Sequence, residues 1–240
     1  MRFPIQCFDD FYTDPDKVRG YALSLPYTTD GGIYPGLRTP ELSAFNENFR
    51  YMSVHKFLSM CDDFDSQEVD IGVDTYFQKI WRFSKDKDSP LNGGWIHHDG
   101  STVLAGLVYL SPDPDPNAGT TVYTEKKDAI IPEWAIKDNS GVNKSQFIND
   151  VLASKFYCPI DSIKDYEKAI VENNSTYEPT LEIKNKYNRM IAYDGDQHHG
   201  MTTFWTDNDE DFRLTQVFFV KNMRCNSMKF PNIRCERYGI

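Results

Sequence analysis

Four of the chain's five histidines sit in two doublets, His97-His98 and His198-His199. The first doublet lies in Trp95-Ile96-His97-His98-Asp99-Gly100. In extended backbone, residues two apart project to the same side, so His97 and Asp99 can present an imidazole and a carboxylate to one ion while His98 faces away. A histidine from the distant doublet would complete two imidazoles and one carboxylate. That set holds non-haem Fe(II) and leaves the opposite face of the metal open. His-x-Asp alone is a weak signal, because a loop histidine hydrogen-bonded to a nearby Asp gives the same pattern. Either His198 or His199 can serve as the third ligand.

These residues need strands to carry them. Tyr76 to Phe83 alternates as a strand does, and a polar loop, Ser84 to Gly94, leads from it to the histidine motif. Thr102 to Leu110 is a short apolar run bounded by turn residues, which suits a strand buried on both faces. A proline-rich turn, Ser111 to Gly119, precedes a further strand over Thr120 to Thr124. The β pattern returns at Arg189 to Tyr193 and at Met201 to Trp205. Strand, turn and strand without intervening helices point to an antiparallel architecture. In the strand Phe212 to Val220, Arg213 shares a face with Thr215, Val217 and Phe219. An arginine there is costly unless it meets an anion, so its position points to a bound carboxylate. The competing partners are Asp207, Asp209 and Glu210.

Around this β frame, Asp14-Pro15-Asp16 marks a helix start, and the helix is expected to stop before Pro26. Tyr27 to Asn48 reads as an ordered loop in which Tyr34 to Arg38 could line a pocket. Phe49 to Met60 reads as a helix, or a strand plus helix, with His55 assigned no chemistry. Residues 125–186 are of mixed charge with helical patches at Ser145 to Phe156 and Ser162 to Glu172, the pattern of an insertion that forms a lid or surface decoration. The tail, residues 221–240, is expected to cover one end of a single domain.

A formal net charge of -10 argues against a phosphate-backbone partner, since such binding depends on Lys and Arg displacing counterions. The five cysteines are scattered and form no C-x-x-C pair, so they read as reduced buried thiols of a cytoplasmic protein. No apolar run is long enough to span a bilayer, and no P-loop or dinucleotide fingerprint occurs.

The order His97-x-Asp99, Tyr109-Leu110-Ser111, Gly119-Thr120, then a turn and His199, then Arg213-x-Thr215 resembles the Fe(II)/2-oxoglutarate-dependent oxygenases, in particular their prolyl-4-hydroxylase-like branch. The resemblance covers roughly His97 to Val220. It implies a mainly β (α+β) fold with flanking helices: a double-stranded β-helix, or cupin-like jelly roll, with core segments at about 76–124 and 187–220. It implies His97, Asp99 and His199 as Fe(II) ligands, with His198 as the competitor. It further implies Arg213, Thr215 and Tyr109 as the grip on the distal carboxylate of 2-oxoglutarate. O2 would be the second co-substrate, with succinate and CO2 released. Halogenating relatives lack the carboxylate ligand, so Asp99 implies hydroxylation, or a related oxidation, of an unidentified protein side chain or small molecule. The readings it competes with are a non-catalytic jelly-roll binding or structural protein, and a zinc or manganese cupin enzyme that does not use 2-oxoglutarate.

Overall fold

The computed structural model describes residues 5–28, 36–61, 69–100, 102–127 and 160–225. The expected helix at Ser145 to Phe156, Tyr34 of the pocket loop and the end of the tail, residues 226–240, lie outside the described residues.

Helix α1 (Pro15–Ser24) begins where the sequence signals it. The Asp14 carboxylate accepts from the Lys17 amide at 3.1 Å, and Pro15 occupies the first turn, where its missing N–H costs nothing. Helix α2 (Glu47–Cys61) buries Ser53, Val54, Phe57, Leu58 and Cys61, a stripe at helical spacing. Both helices lie on one face of a six-stranded antiparallel sheet. Its strands are β1 (Gln6–Phe8), β2 (Leu37–Arg38), β3 (Val69–Ile80), β4 (Leu104–Tyr109), β7 (Met190–Asp194) and β9 (Arg213–Cys225). They run in the order β1-β7-β4-β9-β3-β2.

The second sheet has three strands, in the order β6 (Tyr177–Ile183), β5 (Thr120–Glu125), β8 (His199–Met201). Helix α3 (Ile160–Ser175) precedes β6. Among the described residues no helix is long and apolar enough to cross a membrane.

Alternation along the strands divides the larger sheet into two faces. Leu104, Val108, Met190, Leu214, Phe218 and Val220 turn to the helices and pack with Phe11, Val18, Ala22, Phe57 and Phe77. Phe57 and Phe218 stack with ring centroids 4.5 Å apart. Ala105, Tyr109, Ile191 and Tyr193 turn the other way and pack on Ile183 of β6, so the two sheets face each other.

Gly106 lets α2 approach the helix face of β4. A Cβ there would lie 2.5 Å from a Phe57 ring carbon and 2.5 Å from the Ile191 carbonyl oxygen. Gly106→Ala is therefore expected to destabilise the fold by about 1–3 kcal/mol. Thermal unfolding should show a Tm several degrees lower, while the folded variant keeps its metal affinity.

Several expectations from the sequence need correction. The strand at 76–83 begins at Val69, because Val69 to Gly72 have partners on the far end of β9, and it ends at Ile80. β9 continues to Cys225, so the first residues of the tail belong to the sheet. The second histidine doublet enters a strand at His199, which pairs with Val122, and Thr202 to Trp205 lie outside it. Within the supposed insertion, Tyr177–Ile183 is a strand paired with β5. The loop at 27–48 contains β2 and a 3-10 turn at Leu42–Ala44. Of the described cysteines, Cys61 is buried, but Cys7 is exposed.

Candidate functional site

The two histidine motifs meet through their backbones. His97 and His199 form an antiparallel bridge: the His97 amide donates to the His199 carbonyl at 3.0 Å, and the His199 amide donates to the His97 carbonyl at 2.8 Å. Directly opposed residues of such a pair point to the same side, so this register brings both rings together, with centroids 4.5 Å apart. It also sends their neighbours to the other side. There His98 and His198 meet at 5.3 Å, and His198 packs on Tyr177 at 4.7 Å.

Two further elements hold the first motif. The end of α3 grips the backbone just before His97: Asn173 Nδ2 donates to the Ile96 carbonyl at 3.0 Å, and Asn174 accepts from the Ile96 amide at 3.0 Å and donates to the Gly94 carbonyl at 2.9 Å. Helix α3 thus braces the motif. The turn after β7 fixes Asp99, whose amide donates to the Gly195 carbonyl at 2.8 Å. Only glycine fits at 195, since a Cβ would come within 1.7 Å of the Thr102 carbonyl oxygen.

His97, Asp99 and His199 offer ligand atoms that all lie within 4.8 Å of one another. Asp99 Oδ1 is 3.9 Å from His97 Nε2, and Oδ2 is 3.6 Å from His199 Nε2. Both separations are too long for a hydrogen bond and are of the size that two ligand bonds of about 2.0–2.2 Å to a shared ion can span. The other ring nitrogens are fixed. His97 Nδ1 lies 2.7 Å from the Trp95 carbonyl and His199 Nδ1 lies 2.8 Å from the Gln197 carbonyl. A carbonyl only accepts, so each Nδ1 carries a proton, and the neutral ring is the tautomer whose Nε2 has its lone pair toward Asp99. The side chain of His199 is 7% exposed and that of His97 is 46% exposed, so the cluster is open on the His97 side.

Burial, reinforced by the neighbouring His97, pushes the His199 pKa from 6.5 down to about 4, against the opposing pull of Asp99. His199 is therefore neutral at pH 7, the form that binds a cation. In the metal-free protein this fixes the sign of a pH dependence. Above 6.5 both folded and unfolded states carry a neutral ring. Between 6.5 and about 4 the unfolded chain takes up a proton that the folded one refuses. The unfolding free energy is expected to fall by about 3 kcal/mol as pH drops through that window. Urea unfolding at stepped pH measures the fall, and His199→Gln should flatten it.

Arg213 opens β9 and is 3% exposed. Its Nη2 lies 3.5 Å from Thr120 Oγ1, which in turn lies 2.8 Å from the Tyr109 hydroxyl. The guanidinium carbon is 5.1 Å from the centre of the Tyr109 ring. Thr215, also buried, is opposite Tyr109 in the β4–β9 pair. Burial raises the Tyr109 pKa, so its hydroxyl is neutral and able to donate. Among the described residues no carboxylate pairs with Arg213, and its buried Nε has no hydrogen-bond partner. The acidic turn offers none: Asp209 pairs with Arg82, and Asp211 accepts from Thr206 and Asn208.

The structure thus gathers His97, Asp99 and His199 in one cluster and Arg213, Thr215 and Tyr109 in a second group, and it leaves His198 on the opposite side. Thr120 and Tyr193 are site residues to which the sequence pattern assigned no role. The Tyr193 ring lies 4.4 Å from that of His199.

No family model matches the sequence, and no curated protein is similar to it at a significant level. Solved structures do match. HygX from Streptomyces hygroscopicus, with nickel and 2-oxoglutarate bound, is 16% identical with a TM-score of 0.52; the match covers 89% of this chain and 81% of HygX. The same protein with nickel, 2-oxoglutarate and hygromycin B bound is 15% identical with a TM-score of 0.53, over the same shares of the two chains. At that identity the likeness is one of architecture: this mostly β chain of two facing antiparallel sheets shares its fold with HygX over nearly nine-tenths of its length.

Proposed function

We propose that this protein is an Fe(II)- and 2-oxoglutarate-dependent oxygenase of the hydroxylating kind, acting on a small metabolite or a protein side chain. Its two sheets then correspond to the halves of a double-stranded β-helix, and its 240 residues to one oxygenase domain of the prolyl-4-hydroxylase-like branch. The observation that carries this reading is Arg213. A buried guanidinium with no carboxylate partner among the described residues is costly in a folded protein unless a ligand supplies the anion.

The residues present fit both groups. His97, Asp99 and His199 supply two neutral imidazole nitrogens and one carboxylate on one side of an ion, the donor set suited to non-haem iron with open positions. Arg213 can grip a terminal carboxylate through parallel N–H groups, with the Tyr109 hydroxyl donating beside it while accepting from Thr120, and Thr215 lining the same wall. A five-carbon diacid suits this arrangement, with one end at the metal and the other at Arg213. HygX, whose fold this chain shares, holds nickel and 2-oxoglutarate.

When bound, Fe(II) with 2-oxoglutarate and O2 supplies an oxidant able to hydroxylate a C–H bond, with succinate and CO2 as co-products. The protein's share is orientation. The Trp95 and Gln197 carbonyls lock both histidine tautomers, the Gly195 turn sets Asp99, and the sheet face around Arg213 keeps water from the co-substrate's far end. Because Asp99 fills the third protein position, a halide has no place there and hydroxylation is the expected outcome. A metal-binding cupin that makes no use of 2-oxoglutarate would have no need of Arg213.

The test is substrate-independent turnover. Protein incubated with Fe(II), ascorbate, 2-oxoglutarate and O2 should form succinate slowly above the enzyme-free level, and Asp99→Ala should not. Equal succinate with and without protein would refute the assignment.

A further inference from the structure

His97 is the more exposed of the two imidazoles in the cluster, and β8 supports its backbone along one edge. There the His97 amide and carbonyl exchange bonds with His199, and the Gly94 amide donates to the Met201 carbonyl at 2.8 Å. The other edge presents the Gly94 carbonyl and both backbone groups of Ile96, a residue only 3% exposed. Backbone groups buried without partners are costly. The last turn of α3 covers this edge in place of a strand.

Asn174 does there what a strand's peptide group would do, since a carboxamide both donates and accepts. It accepts from the Ile96 amide at 3.0 Å and donates to the Gly94 carbonyl at 2.9 Å. Asn173 Nδ2 donates to the Ile96 carbonyl and to Asn174 Oδ1, both at 3.0 Å, so the two side chains hold each other. Asn173 is buried, and the Thr176 hydroxyl donates to its carbonyl at 2.7 Å, which fixes the helix end. Glu167 and Ile170 lie on the same face of α3 at helical spacing. Ser89 Oγ donates to Glu167 Oε1 at 2.8 Å, and Ile170 is buried.

These bonds reach the His97 ring through two peptide planes. In a trans peptide the N–H and C=O point in opposite directions and turn together. The Trp95–Ile96 peptide gives its N–H to Asn174, and its C=O lies 2.7 Å from His97 Nδ1. Fixing the first end therefore aims the second. The Ile96–His97 peptide accepts from Asn173 at its C=O and donates its N–H to the His199 carbonyl, which holds the bridge that brings the two rings together.

We infer that Asn173 and Asn174 are positioning residues for the metal centre: through these two peptides they hold His97 as the Nδ1-protonated tautomer and turn its Nε2 to the ion. The inference rests on the function proposed above, in which His97 is a metal ligand. Helix α3 thereby sets the geometry of the cluster's exposed ligand, while the strands set that of the buried one.

The test reads tautomer and metal separately. In the metal-free full chain at about pH 8.5, above the ordinary imidazole range, long-range proton–nitrogen correlation spectra show which ring nitrogen carries the proton. His97 is expected to be protonated at Nδ1 in the wild type and to be a mixture of tautomers in Asn174→Ala. Asn174→Asp keeps the acceptor for the Ile96 amide and should restore the wild-type tautomer. Calorimetric Ni(II) affinity of Asn174→Ala should fall about 10- to 100-fold, the usual effect of removing a group that orients a metal ligand. Asn173→Ala should shift both readouts in the same direction and serves if Asn174→Ala folds poorly. Glu167→Ala is the control: it loosens α3 at Ser89 without touching either peptide, so it should lower the Tm and keep the tautomer and Ni(II) affinity. Wild-type tautomer and affinity in both Asn174→Ala and Asn173→Ala would overturn the inference, as would Glu167→Ala matching Asn174→Ala in both readouts. Because the tautomer is read without metal, it decides this inference even where the wild type binds no Ni(II), the result that would instead refute the proposed function.

Discussion

Asp99→Ala is expected to bind Fe(II), or Ni(II) as its stable stand-in, at least about 100-fold more weakly than the wild-type chain. Groups that merely orient a ligand cost about 10–100-fold when removed, and Asp99 supplies a donor atom. It is also the cluster's sole anionic member, so without it two neutral imidazoles must hold a dication alone. The fold should tolerate the change, because the bonds that fix this turn belong to the backbone: the Asp99 amide donates to Gly195 and the Asp99 carbonyl accepts from Thr102 at 2.7 Å. Metal-free Tm should therefore move little while calorimetric metal affinity collapses. An affinity close to that of the wild type would remove Asp99 from the site.

Arg213→Ala should separate the metal from the co-substrate. Losing one partner of a buried ion pair costs about 3–5 kcal/mol, or about two to three and a half orders of magnitude in affinity at about 1.4 kcal/mol per decade. The metal-loaded variant should thus bind 2-oxoglutarate at least about 100-fold more weakly, with metal affinity unchanged. Arg213→Lys should recover only part, since an ammonium cannot reproduce the bidentate fork. Thermal shift gives an independent readout: excess 2-oxoglutarate stabilises a chain that binds it in proportion to ln(1 + [L]/Kd). It should raise the Tm of the metal-loaded wild type and leave Arg213→Ala unmoved. An equal rise in both would place the co-substrate elsewhere.

Much of this site was legible because it depends on periodicity. The i, i+2 rule pairs His97 with Asp99, and the same rule puts Arg213 on a face with Thr215. The choice between His198 and His199 was not local. Which of the two lies beside His97 follows from the bridge register between two segments a hundred residues apart. Thr120 was hidden for a related reason, since its contacts with Tyr109 and Arg213 cross from one sheet to the other. Strand β6 escaped notice because it lies at the edge of its sheet, with five consecutive exposed residues, Pro179 and a register shift at its partner's Val122/Tyr123. A strand with little to bury carries little alternation. The far end of β9 is polar in sequence, and its length is set by β3 across the sheet.

The assignment turns on whether iron and 2-oxoglutarate occupy the cluster together, and an anaerobic optical titration tests that directly. Adding 2-oxoglutarate to the Fe(II)-loaded chain should raise a weak visible charge-transfer band that saturates at one equivalent. The band should be missing in Asp99→Ala and should need far more 2-oxoglutarate in Arg213→Ala. A wild-type chain that demonstrably holds Fe(II) yet shows no band at saturating 2-oxoglutarate would contradict the assignment.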